Sequence, residues 1–151
     1  MVLDGNGTEK ILVFGLETFN QQTVSELERH WPQKHPLLLE VPLQMSIAQL
    51  WAGDRAQAEQ QAQQRLQTNL KLLRAQHPAA VEGEIADQDL YLAASDALST
   101  NHISELTLVH AHPLKYSQRR AWDKLQHTLP LAVEEIDLQV EPLGSAASLH
   151  V

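Results

Sequence analysis

Two histidines one residue apart, His110 and His112, are followed within ten positions by Lys115, Ser117, Arg119 and Arg120. All six leave an apolar run, Leu106, Leu108 and Val109, that reads as a strand passing through a loop into a helix. In an open parallel sheet the loop leaving a central strand's carboxyl end is where ligands usually sit, so a site, if there is one, belongs here. An i, i+2 histidine pair on a strand shares one face and could hold a metal. A metal needs a third and usually a fourth ligand, and Glu17 at the exit of a neighbouring strand is the one candidate. The expectation is therefore no metal.

Arginine pairs with phosphate or carboxylate through two nitrogens, and a free helix N-terminus adds amide donors. Between Glu105 and Lys124 four basic residues (Lys115, Arg119, Arg120, Lys124) face two acids (Glu105, Asp123), against a net charge of −8 for the whole chain. A small anionic ligand fits that local reversal of sign. Nucleic acid and anionic membranes do not fit, because polyanions reward lysine and arginine across a whole surface. For catalysis, His110 or His112 with Ser117 and Asp123 supplies residue types, but no G-x-S-x-G elbow exposes a serine. No enzyme and no cofactor is expected.

The 151 residues suffice for one domain with a substantial core. There is no cysteine, hence no disulfide or thiolate chemistry. No run approaches the roughly 20 apolar residues of a membrane span, and Met1 to Gly7 lacks the parts of a signal peptide. The default expectation is a cytoplasmic protein.

The elements that must position the site follow in order. Residues 1–9 are expected to be a disordered lead, 10–140 a single domain and 141–151 a flexible tail. Lys10 to Leu16 is a continuous apolar run, as in a strand buried on both faces. Thr23 or Asn20 caps a short helix carrying Val24, Leu27 and Trp31, stopped by Pro32. Leu37 to Val41 is the second strand. In Leu43 to Gly53, Ile47, Leu50 and Trp51 share one side of a helical turn that either packs on its own domain or faces a partner; the first is the plainer reading. Trp31 and Trp122 read as core or boundary residues.

Asp54 caps the longest helix, to about Gln76, with Ala58, Ala62, Leu66, Leu70 and Leu73 as its apolar stripe. Ala79 to Ala86 is a weaker third strand, and Asp87-Gln-Asp89 caps the alanine-rich helix behind it. The fourth strand carries the histidines. Its helix, from about Ser117 to Thr128, turns Ala121, Trp122 and Leu125 inward. A last strand within Val133 to Val140 alternates Ile136, Leu138 and Val140 with Glu135, Asp137 and Gln139, as at a half-exposed edge.

Five strands alternating with four helices give an α/β fold, a five-stranded, mostly parallel sheet with helices on both faces, by the right-handed crossover rule. The expected order is 3-2-1-4-5. The first strand is central, and the exits at Leu16 and Val109 lie side by side.

The chain at this point resembles the universal stress protein family. The residues that carry the resemblance are Ile11-Leu-Val-Phe-Gly-Leu-Glu-Thr18, Val81-Glu-Gly-Glu-Ile-Ala-Asp-Gln-Asp89 with its alanine-rich helix, and Ser104-Glu-Leu-Thr-Leu-Val-His-Ala-His-Pro113 leading to a Ser-x-Arg helix start. It spans roughly Lys10 to Val140. Nucleotide-binding members of that family end the first strand on aspartate and carry a glycine loop after the fourth, whose backbone amides approach phosphates. Here Leu16 stands at the aspartate position and no glycine occurs between Gly83 and Gly144.

The resemblance implies a universal stress protein-like, non-catalytic binding or regulatory module, dimeric and without ATP. Two surfaces are candidates for a homodimer interface: Trp51, and the edge formed by Ile136, Leu138 and Val140. The rival is a small-ligand protein that holds phosphate or a nucleotide in a degenerate cleft lined by Glu17, His110, His112, Lys115, Ser117, Arg119 and Arg120. A cleft filled by Leu16, Leu114 or Tyr116 would weigh against the rival.

Overall fold

A computed structural model describes residues 9–31 and 35–138. The expected lead up to Thr8, the tail, Pro32 and the interface candidate Val140 lie outside the described residues. The sheet comprises β1 (Lys10–Gly15), β2 (Leu37–Pro42), β3 (Val81–Ala86), β4 (Ile103–His110) and β5 (Ala132–Asp137). Its order is β3-β2-β1-β4-β5, as expected, and every pairing is parallel.

Side chains alternate across the sheet, so each buried strand feeds two cores. Ile11, Val13, Leu37 and Leu39 pack under helices α1 (Gln21–His30) and α3 (Arg55–Gln76). Leu12, Phe14, Leu106 and Leu108 pack under α4 (Leu90–Thr100) and α5 (Tyr116–Thr128), where Trp122 meets Phe14 edge-on. The apolar stripe of α3 lies close to β3. A Cβ on Gly83 would come within 2.8 Å of Leu70 and 2.9 Å of Leu66, so glycine sets that spacing.

Several expectations are corrected. Of the two expected caps for α1 it is Asn20 that serves, whereas Trp31, expected on the helix, lies just past its end, buried. Helix α5 starts one residue early, at Tyr116. The stretch after β2 forms a short helix, α2 (Ile47–Ala52), closed by a Ser46/Gln49 capping box and by left-handed Gly53. Two of its apolar residues do not pack inward: Leu50 is 57% and Trp51 86% exposed. The edge strand β5 and the residue after it carry the two described candidates of the second interface. Ile136 is only 6% exposed and, with half-buried Leu138, packs into the core under α1 and α3.

Candidate functional site at the strand exits

The exits of β1 and β4 are neighbours, with the Leu16 amide donating to the Val109 carbonyl at 3.1 Å. The loop leaving β1 is fixed from α3 by Asn69, a fully buried residue. Its Oδ1 accepts from the Phe19 amide at 2.8 Å, and its Nδ2 donates to the Glu17 carbonyl at 3.0 Å. Glu17 is thereby placed beside the β4 loop. There its carboxylate meets Nδ1 of exposed His112 at 2.9 Å.

His110 closes β4 from below and is 1% exposed. Its Nδ1 faces the His112 carbonyl at 2.8 Å and its Nε2 faces Glu135 Oε2 at 2.6 Å. A carbonyl and a carboxylate both accept, so both contacts are hydrogen bonds only when both ring nitrogens carry protons. Glu135 on β5 is also clasped by Arg119 of α5, at 2.8 Å to each oxygen. This guanidinium, with His110 assisting, holds the Glu135 carboxyl well below the usual carboxylate range, at about 2.

The candidate residues therefore divide. Glu17 and His112 meet at the β1/β4 exits, His110 and Arg119 meet on Glu135 of β5, and all four bond within the chain. The two histidines do not form a pair facing one ligand: His110 has both nitrogens engaged, and His112 turns outward to Glu17. Ser117 and Arg120 point elsewhere, lining an open groove of about 650 Å³ between α4 and α5 with Asp87, Asp89 and Lys124. Arg120 lies over the Tyr116 ring, 5.7 Å from its centroid. Lys115 is exposed at the start of α5, where its amide donates to the Gln118 side chain. Leu16 and Leu114 pack into the core under α4 and α5, whereas Tyr116 is exposed. An anion taking up Arg119 would have to displace Glu135 from it.

No protein-family model matches the chain, and no curated protein matches it. Among solved structures it is similar to the crystal structure of a hypothetical protein, PH0823, with a TM-score of 0.58 over 84% of this chain and 95% of that one, at 15% identity. At that identity the likeness shows the five-stranded α/β fold alone.

Three residues around the sheet carry chemistry that the motif reading does not single out. Asn69 breaks the apolar stripe of α3 one position before Leu70, and a lone amide on such a stripe is the signal that could have found it. Glu135 reads in sequence as an outward edge residue, yet it anchors the His110 and Arg119 contacts. Glu40 interrupts the apolar run of β2 and is buried beside its register partner Glu84 on β3. Burial first, then the shared hydrogen bond and charge of Glu84, with Asp96 adding, push its carboxyl up to about 9.

Proposed function

We propose that this chain is a non-catalytic binding or regulatory module resembling the universal stress proteins, acting as a homodimer and without their nucleotide site. The strand order supports the resemblance. So does the replacement of the nucleotide-binding features, with buried Leu16 at the aspartate position and no glycine between Gly83 and Gly144. Arg119, the best-placed cation for a phosphate, is neutralised by Glu135.

The observation that carries the reading is the pair Leu50 and Trp51, both largely exposed on α2. Caps at both ends fix this helix, and Gln49 reaches Gln57 and Gln61 on α3. The tryptophan is thus presented on a positioned helix. Aromatic residues are enriched at the centres of protein interfaces, and a second copy of the chain is the partner we assign.

Light scattering on the full chain, with and without Trp51→Glu, tests the reading. A wild-type dimer that becomes a folded monomer in the variant is the expected result. A wild-type monomer at all concentrations, or a dimer indifferent to the substitution, would overturn it. A nucleotide-induced rise in melting temperature that Arg119→Ala abolishes would overturn the loss of the nucleotide site and favour the rival.

A further inference from the structure

Among the described residues Arg65, on α3, is the partly buried cation without a direct ion pair. Arg29 pairs with Glu26, Arg55 with Glu59 and Arg119 with Glu135. Arg74 donates to the Val81 carbonyl at 3.0 Å, and Arg120 is exposed over Tyr116. Arg65 has one long hydrogen bond, from Nη2 to the Pro42 carbonyl at 3.4 Å, and its Nε is buried with no partner. Among the described residues no carboxylate pairs with it directly. Burial lowers its affinity for its proton, and the charge of Glu17 offsets this only in part. A guanidinium removed from water needs hydrogen-bond acceptors and an opposite charge to be stable there.

Arg65 also lines a cavity of about 630 Å³ outside the exits of β1 and β2. This is a different place from the β1/β4 junction, which Glu17 and His112 bridge. Its walls are mainly amides and hydroxyls, Thr18 from the β1 loop, Gln44 from the β2 exit and Gln61, Gln64 and Thr68 from α3, with Glu17 and Leu16 completing the lining. Gln44 is held in position by its Nε2 donating to the Leu16 carbonyl at 2.9 Å. In open α/β sheets the carboxyl ends of the strands are where ligands bind.

We propose that this cavity binds a small polar carboxylate, with Arg65 taking the carboxylate and the glutamine and threonine side chains taking hydroxyl or amide groups on its body. A carboxylate brings one negative charge to one guanidinium, in the planar two-pronged geometry that arginine favours. A phosphate dianion would bring a second charge to a site with no second cation lining it and Glu17 beside it. The polar walls select against an apolar body. The inference uses neither α2 nor a dimer, so it is independent of the interface reading.

The test is a titration of the full chain with lactate, glycerate, gluconate and glutamate, with inorganic phosphate and with sodium chloride at matched ionic strength. It is followed by melting temperature and by the Arg65 Nε–H resonance. At least one carboxylate is expected to raise the melting temperature by several degrees and to move that resonance, with chloride doing neither. Arg65→Met should abolish both responses. It should itself melt no lower than wild type, because it removes a desolvated, unpaired charge. Arg65→Lys should keep a weaker response. No response to any of the carboxylates, a response that survives in Arg65→Met, or a response to phosphate alone would overturn the proposal.

Discussion

Arg119 holds Glu135 through both terminal nitrogens, Nη1 to Oε1 and Nη2 to Oε2, each at 2.8 Å. The pair ties α5 to the edge strand β5, and the same carboxylate receives His110 from β4. Arg119→Ala is therefore expected to loosen the edge of the sheet. The Glu135 carboxyl is lowered to about 2 from 4.5, so its contribution is fully present above the ordinary carboxylate range and disappears as pH falls towards 2. Arg119 is two-fifths exposed, and after allowing for solvent screening a cost of about 1–2 kcal/mol at neutral pH is expected. Urea unfolding of both proteins should show that gap at about pH 7 and its closure near about pH 2. A gap that is independent of pH would mean that the substitution acts through packing.

Glu40 gives the opposite slope. Its carboxyl is raised from 4.5 to about 9, so the folded state binds the proton more tightly than the unfolded chain does. Stability from this group is fully present below the ordinary carboxylate range and is lost as pH rises through about 9. At neutral pH about 3 kcal/mol has already gone relative to acid, at about 1.4 kcal/mol per unit. Glu40→Gln removes the ionisation while keeping the shape. Its stability is expected to match or fall below wild type near about pH 4 and to exceed it increasingly from about pH 6 to 9. Parallel pH curves for the two proteins would refute the buried-acid reading.

The fold was legible because its signals are local and repeated. The unbroken apolar run of β1 marks a strand covered on both faces, and the three- and four-residue steps of α3 mark a helix on a core. The site was legible only as residue types. Which carboxylate reaches His110 depends on the register of β4 against β5, where Leu108 lies opposite Glu135 and His110 opposite Asp137. No spacing within either strand contains that information. The α2 stretch misleads for a related reason. Its apolar residues share a side, but Gln49 turns a polar edge to α3, leaving Leu50 and Trp51 exposed. Arg65 escapes the motif reading because its isolation is a property of what surrounds it in space.

Asn69 is the residue whose loss should disturb the β1 exit most directly. Asn69→Ala leaves the buried Phe19 amide without its acceptor and the Glu17 carbonyl without its donor. Unsatisfied buried groups cost about 1–3 kcal/mol each, and part of that is recovered if water enters the loop. A destabilisation of about 2–3 kcal/mol is expected. Faster hydrogen exchange at the Phe19 amide should accompany it. An unchanged exchange rate there would show that the loop is held by something other than Asn69.

The two interface candidates separate cleanly by what their substitution should damage. Ile136 packs under α1 and α3 with only 6% of its surface exposed, so Ile136→Lys forces an ammonium into an apolar core. Such a group either deprotonates or drags water in, and a loss of several kcal/mol is expected with no dependence on protein concentration. Trp51→Glu alters a side chain that is 86% exposed. It should leave the unfolding free energy of the isolated subunit within about 0.5 kcal/mol while changing the mass in solution. Sedimentation and denaturation of the two variants side by side decide the matter. Ile136→Lys giving a stable, folded monomer would move the interface to β5, and Trp51→Glu unfolding the chain would show that α2 belongs to the core.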